Sequence, residues 1–409
     1  MNYIKSGIVV LVTLLVLSIV MPCNAEEYSS EPGMEYGGAF GALSVDGKMY
    51  YMFAFRPEIT FWKFGLGLEF RLLWNDDGMR ENDYTLPNIF RYIRYGHKNE
   101  APVYAKLGVL DSAILGHGFL MRNYSNQSIT AFDRIWGTEF DVYLGAAGIE
   151  TVTNDIRNTR LIGGRAYYKP LESSGLFLID GLTIGGTYII DRDPAKGKIV
   201  TKPYSELIVY GADIGLPIIE TEPFTCTLYA DYGKIKEQGD GYAAPGFMGK
   251  LLILDYRFEY RNNARNFIPG LFDYIYENIR PIDWSLSRYD ASLPRRKGTY
   301  GEIGASIMNM VYLLATHEKY DGENSNILGQ ATLKANFIPK ITDVSLTYYQ
   351  KDVELFKGIT SKSENTVIKA RVGFLLSGGV TLYAVVKQTY DPVLEKFKRT
   401  TTMEVAFRF

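Results

Sequence analysis

FKRTTTMEVAFRF, residues 397–409, separates into two faces when it is read alternately. Phe397, Met403, Val405, Phe407 and Phe409 fall on one side; Lys398, Thr400, Thr402, Glu404 and Arg408 fall on the other. Side chains of a β-strand alternate between faces with period two, so the stretch predicts a strand with one greasy and one wet face. Two environments suit such a strand. Its apolar face can cover a protein core while the polar face meets bulk water, or it can meet lipid while the polar face lines an aqueous lumen. The strand alone does not choose between them. Its terminal aromatic residue, the recurrence of its pattern and the other end of the chain do.

The chain opens on an export signal. Lys5 precedes the apolar run Ile8 to Met21, and Cys23-Asn24-Ala25 offers small residues before a cut ahead of Glu26. The run is too short, and its flanks are wrong, for a spanning helix, so residues 1–25 read as a removed signal peptide and 26–409 as a single domain. Cys23 raises the alternative of a lipoprotein site, which Pro22 disfavours. Without residues 1–25 only Lys5 is lost from the charges, leaving 43 Lys and Arg against 46 Asp and Glu, a net of −3. That balance excludes a nucleic-acid partner. Cys226 is then the only cysteine, a small apolar filler in the alternating run Phe224, Cys226, Leu228, Ala230, and no internal disulfide is possible.

The composition carries 31 Tyr, 22 Phe and 40 Gly. Beyond the signal no run reaches the roughly eighteen apolar residues of a spanning helix. Membrane barrels hide their apolar surface in alternation, and aromatic girdles are expected of them. The terminal Phe409, on an amphipathic last strand behind an export signal, resembles the assembly signal of outer-membrane β-barrel proteins of double-membraned bacteria, the porin-like barrels. The resemblance covers the mature chain at the level of architecture. It implies an all-β fold, a transmembrane antiparallel up-and-down β-barrel, delivered through the periplasm to the outer membrane. Its implied partners are outer-membrane lipid, lipopolysaccharide and, during biogenesis, the barrel-assembly machinery. The small-molecule solute and any oligomer are left open.

Alternating segments fall near 35–45, 48–56, 62–73, 88–97, 102–110, 138–150, 160–169, 181–191, 204–214, 222–233 and 247–261. In 247–261 Leu252, Leu254, Tyr256, Phe258 and Tyr260 oppose Asp255, Arg257, Glu259 and Arg261. After residue 298 the rhythm runs nearly unbroken to the C-terminus. Most segments are close to the about nine to eleven residues of a tilted membrane strand. The raw count is seventeen; bacterial barrels use even numbers, and a tight turn at Met308 to Met310 splits the overlong 299–319 to give about 18, with 16 as the alternative. That turn also puts the longest connections, 74–87, 111–137 and 262–298, on one side and the short ones on the other, as outer loops and periplasmic turns are arranged.

Two of these connections are candidates for function. The stretch 111–137 carries Ile114, Leu115, Phe119, Leu120 and Met121 beside His117, Arg122, Asn123 and Asn126. Long loops in compact structures are usually functional or disordered. This one is expected either to fold inward and narrow the lumen, as porin constriction loops do, or to pack on the rim or against another loop. In 264–297, Phe267, Leu271, Ile275 and Ile279 recur every four positions, with Phe272 and Tyr276 beside them. From Leu271 to the stop at Pro281 that is helical spacing, for a lid, a plug or a structural cap on the rim. Arg295-Arg296-Lys297 offers charge for lipopolysaccharide phosphates or is simply a solvated face.

The wet faces carry Glu69, Arg71, Lys106, Glu139, Asp141, Asp255, Arg257, Glu259, Lys369, Arg371, Lys387, Glu404 and Arg408. Single-sign rings select ions, whereas this mixture favours ladders of pairs that stiffen the wall. The candidate lumen residues are thus His117, Arg122, Asn123, Asn126, Arg71, Glu69, Arg257 and Arg371. Of the three histidines, His97, His117 and His317, His117 stands near Ser125 and Asn126, faintly like outer-membrane phospholipases. That family sets its His and Ser two apart, so the expectation is no enzyme. No metal or phosphate-binding motif is present, and no cofactor is expected. Two functions stay open: a porin-like channel for passive passage of small solutes, and a plugged or gated barrel that transports apolar molecules or serves as a surface protein. The placement of 114–121 and 267–279, inside the lumen or outside it, discriminates them.

Overall fold

The computed structural model describes residues 34–45, 48–79, 89–98, 102–110, 112–126, 134–172, 174–176, 179–194, 206–221, 223–273, 276–279, 294–307, 310–323, 325–334, 339–353, 366–377, 380–391 and 396–407. For β1, β22 and parts of other strands it describes the backbone alone. Residues 1–25, expected to be a signal peptide, lie outside the described residues, as do Ile275, Phe409 and the side chain of Arg71.

The β-segments are β1 (Met34–Val45), β2 (Lys48–Phe61), β3 (Phe64–Leu68), β4 (Phe70–Asn75), β5 (Gly78–Met79), β6 (Phe90–Tyr95), β7 (Val103–Gly108) and β8 (Gly137–Tyr143). They continue with β9 (Ala147–Thr153), β10 (Leu161–Tyr168), β11 (Thr183–Asp191), β12 (Leu207–Thr221), β13 (Phe224–Ile235), β14 (Gly239–Leu251) and β15 (Leu254–Asn263). The last are β16 (Arg296–Ile307), β17 (Val311–Tyr320), β18 (Ser325–Lys334), β19 (Ile341–Val353), β20 (Thr366–Ser377), β21 (Val380–Asp391) and β22 (Lys396–Phe407). All lie in one antiparallel sheet of 22 segments. β3 and β4 are two halves of one stave, broken at Glu69, since both pair with β2, and β5 is a two-residue tip on β4. Among the described residues the ring therefore has 20 staves, each paired with its neighbours in sequence. It closes where β22 meets β1, with Tyr36 opposite Phe407 and Gly41 opposite Thr402.

Closure removes both free edges, and alternation gives the wall its two faces. On β15, Phe258 and Tyr260 point out and are exposed, while Glu259 and Arg261 point in and are buried. Exposed Ile149, Ile184, Tyr188, Ile214, Ile303 and Leu346 continue the outer apolar belt around the ring. Such a belt is the surface a barrel presents to lipid.

The expected turn between Ile307 and Val311 is present, with β16 and β17 paired across it. Two further turns were not expected. The segment 138–150 is a hairpin, β8 and β9, turning at 144–146, and 247–261 spans the hairpin of β14 and β15, turning at Leu252-Ile253. These two turns raise the count from about 18 to 20 staves. Each missed turn reverses the direction of everything after it, so the two cancel. The connections β4–β6, β7–β8 and β15–β16 thus share one end of the barrel, as the loop lengths require. Gly145, with φ 73°, marks the first missed turn. The second has no glycine or asparagine at its tip, and Leu252 itself takes φ 56°.

A candidate plug and constriction in the lumen

Two connections from the long-loop end enter the barrel. The first, 109–126, is a hairpin: Ala113 and Tyr124 exchange backbone hydrogen bonds of 2.9 Å, and Leu115 N–H donates to Met121 O at 3.3 Å. Gly116 and Gly118, at φ 56° and 87°, turn its tip around His117, a left-handed path that glycine follows without a side-chain clash. The second connection, from Ala264, runs alongside. Gly270 N–H donates to Phe119 O at 2.7 Å, Phe272 N–H to Leu120 O at 3.3 Å and Arg122 N–H to Phe272 O at 3.0 Å. Met121 and Phe272 make a parallel bridge. Among the described residues, the helix expected from Leu271 is α1 (Tyr276–Ile279). Phe272 is spent on the bridge instead, because its N–H and its carbonyl both pair with the first loop.

Where the two connections meet, Leu115, Phe119, Leu120, Met121 and Tyr124 pack with Phe267, Leu271, Phe272 and Tyr276, all buried. Their floor is the inward face of the wall: Val152, Leu161, Ile189, Val209, Ile235 and Ala243, each no more than 1% exposed. Three inward glycines shape that floor. Gly211 pairs with Gly233, and Gly233 with Gly241, so they form a row across β12, β13 and β14. A Cβ on Gly233 would sit 2.4 Å from Leu120 Cδ2, and one on Gly241 2.4 Å from Phe267 Cδ1. The row is a trough that receives Leu120 and Phe267.

Charged pairs tie the plug to the wall. His117 Nδ1 lies 2.8 Å from Asp231 Oδ1, and Arg257 Nη1 donates to His117 O at 2.5 Å. Gly116 N–H donates to Glu150 Oε2 at 2.8 Å. Arg165 forks onto Asp213 at 2.6 and 2.9 Å and reaches Glu150 Oε1 at 2.9 Å. Arg122 leaves the plug to meet Glu302 at 2.5 Å and the Tyr300 hydroxyl at 3.3 Å. Arg261 joins Glu259 on its own strand at 2.5 Å and reaches past β16 to Glu318 on β17 at 2.7 Å. Below the hairpin, Lys98 bridges Glu139 at 2.8 Å and Asp141 at 3.3 Å. Burial pulls the Lys98 pKa down, but these two carboxylates outweigh it and hold the ammonium above the ordinary lysine value.

The residues singled out in the sequence separate by role. His117, Arg122 and Arg257 come together at the plug. Asn123 is exposed at φ 53°. Asn126 is fully buried and knits backbone, accepting from Leu110 N–H at 2.9 Å and donating to the carbonyls of Gly108, Ile135 and Asn154. Glu69 pairs with Arg134 at 2.5 Å, and Arg371 with Asp343 at 3.0 Å on the far wall. Phe267 and Leu271 belong to the plug core; Ile275 is outside the described residues, and Ile279 closes the short α1. Asp213, Asp231, Arg165, Glu150 and Glu302 were not singled out. Their one local signal is a charge at an inward position of an alternating strand.

His117, Asp213 and Asp231 offer one nitrogen and two oxygens within 4.8 Å of one another, a set that suits a divalent cation by donor type. The Arg165 fork already occupies both Asp213 oxygens, so a guanidinium supplies the positive charge there. The remaining Asp231 oxygen faces a cavity of about 10 Å³, room for one water. His317 Nε2 lies 3.1 Å from Ser325 Oγ, but Ser325 is 1% exposed, so this pair does not present its hydroxyl to a substrate.

No family model matches the chain, and no curated protein does. Solved structures are similar to it at low identity. OccAB3 of Acinetobacter baumannii is similar over 92% of this chain and 98% of its own, at 10% identity and a TM-score of 0.37. A BenF-like porin from Pseudomonas fluorescens Pf-5 is similar over 91% and 96%, at 10% identity and 0.39. Pseudomonas aeruginosa OpdL is similar over 91% and 97%, at 10% identity and 0.37. The functional reading rests on the chain's own geometry.

Proposed function

We propose that this protein is an outer-membrane channel of the porin type, narrowed by a fixed inward plug to an off-centre passage for small polar solutes. The asymmetry of the lumen supports the reading. On the plug side the inward face of β9 to β14 is sealed under Leu120, Phe267 and their neighbours. On β17 to β20 both faces are open: inward Tyr312, Gln330 and Lys369 are exposed, and so are outward Leu313, Leu346 and Phe374. A barrel of this many staves is wide enough to hold an aqueous passage beside a partial filling. In this reading Arg122, Glu302 and Tyr300 form the plug-side lip, and Lys369, Arg371 and Asp343 stand across from them. The signs are mixed, so selectivity by charge is weak. Passage of apolar molecules gains no support, since the plug turns its apolar residues to the wall.

The test is single-channel recording of the refolded mature chain in a planar bilayer. Small, stable current steps are expected, with larger steps after deletion of 266–273. A second reading, a barrel shut until the plug moves, draws on the placement of both long connections inside the lumen. It requires a folded, heat-modifiable wild type that gives no current and a deletion variant that conducts. Silence from both would remove the channel reading.

A further inference from the structure

The short-turn end of the barrel carries an apolar crown. Periplasmic turns are ordinarily short and polar, with asparagine or glycine at the left-handed positions of two-residue hairpins. Here six connections at this end carry an apolar tip, while β6–β7 and β18–β19 carry exposed His97 and Lys340. The first three are Trp62 between β2 and β3, Leu144 between β8 and β9, and Leu176 between β10 and β11. Leu252 follows between β14 and β15, Met310 between β16 and β17, and Leu376 at the end of β20. Trp62, Leu144 and Leu252 are 72%, 74% and 67% exposed. Trp62 and Leu252 hold left-handed backbones, φ 53° and 56°, which large L side chains adopt only against a steric penalty. A large apolar side chain kept at a strained, solvent-facing tip calls for an environment that receives it.

We infer that this rim is a lipid-binding surface: the turn tips insert into the headgroup and upper acyl region of the leaflet on the short-turn side, so the barrel ends flush with that leaflet. The occupant follows from two observations. The crown is continuous with the outer belt, since exposed Phe61 and Phe64 flank Trp62, and exposed Leu251 leads into Leu252 and Ile253. It also runs around the ring, on six connections from β2 to β20, whereas a protein partner would engage one sector. A membrane plane meets all of them at once. The charges among the tips are mixed, with exposed Lys63, Lys250, Glu172 and Asp255, so apolar insertion sets the depth. Lys63 Nζ sits 5.5 Å from the Trp62 ring centroid, which leaves the indole at the boundary that tryptophan favours.

The inference rests on the membrane reading, and the experiment separates the two. The mature chain with Trp74→Phe, Trp136→Phe and Trp284→Phe keeps Trp62 alone and is refolded into phosphatidylcholine vesicles brominated in the upper acyl chain. Strong quenching of Trp62 by the bromolipid, with little by aqueous iodide, is expected. A control carrying Trp62→Phe as well and Phe258→Trp reports the middle of the belt. Quenching of the control while Trp62 stays open to iodide would overturn the rim assignment and leave the membrane reading standing. Lack of bromolipid quenching at both positions would overturn both. An independent variant, Leu252→Cys, keeps all four tryptophans; the new thiol takes a polarity-sensitive fluorophore while buried Cys226 is shielded. Its emission should shift to the blue on insertion, and a water-like emission counts against the rim assignment.

Discussion

Phe267→Ala addresses the plug most directly. Phe267 is fully buried, 5.5 Å from the Phe119 ring centroid, and it fills the trough over Gly233 and Gly241. Those glycines carry no side chain that could move into the space, so the cavity cannot collapse. The loss should therefore sit in the usual range for a buried Phe→Ala, about 3–5 kcal/mol. Because the lost contacts hold the plug to the wall and not the staves to one another, the shift falls on docking. At about 1.4 kcal/mol per tenfold, it raises the undocked fraction roughly 150- to 4000-fold. Single-channel recording should then show larger or flickering steps. Limited trypsin digestion should cut at Arg122 or Arg265 while the barrel keeps its heat-modifiable mobility. Wild-type steps together with wild-type protease resistance would refute the argument that this core seats the plug.

Arg165→Met should cost about 3–5 kcal/mol, because it strands the buried carboxylate of Asp213 and the half-buried one of Glu150; urea unfolding in micelles measures it. Asn126→Ala leaves several buried backbone groups without their partner, at about 1–3 kcal/mol for each group left unsatisfied. Faster proteolysis within 109–126 is the readout. Arg122→Gln leaves the half-buried Glu302 without its counter-charge, so stability should fall by about 1.5–3 kcal/mol. The reversal potential in a salt gradient should meanwhile move toward cations, since Glu302 loses its counter-charge. Lys98 is held above its unfolded pKa, so its contribution is full below about pH 10.4 and is lost as pH rises through the folded value. Lys98→Met should remove that alkaline loss from the stability–pH profile.

The alternation Leu254, Tyr256, Phe258, Tyr260 against Asp255, Arg257, Glu259, Arg261 assigned both faces of β15 before any partner strand was known. The same rhythm led to the barrel and to the side on which its long connections lie. Period two is a property of successive residues on one strand, and a single sequence carries it whole. The Leu144–Ala146 turn was missed although Gly145 marks it, and the one at Leu252-Ile253 was hidden by residues of strand-forming type. What the two long connections do was decided only in three dimensions. Phe119 and Phe267 are far apart in the chain, and they meet because the ring carries both connections to the same end. Gly211, Gly233 and Gly241 become a trough only once the register of β12, β13 and β14 lines them up. Asp213 and Arg165 become partners only because β11 alone stands between their strands. Side-chain alternation is local chemistry, but the filling of the lumen is set by which staves face one another across it, and register and closure fix that for the chain as a whole.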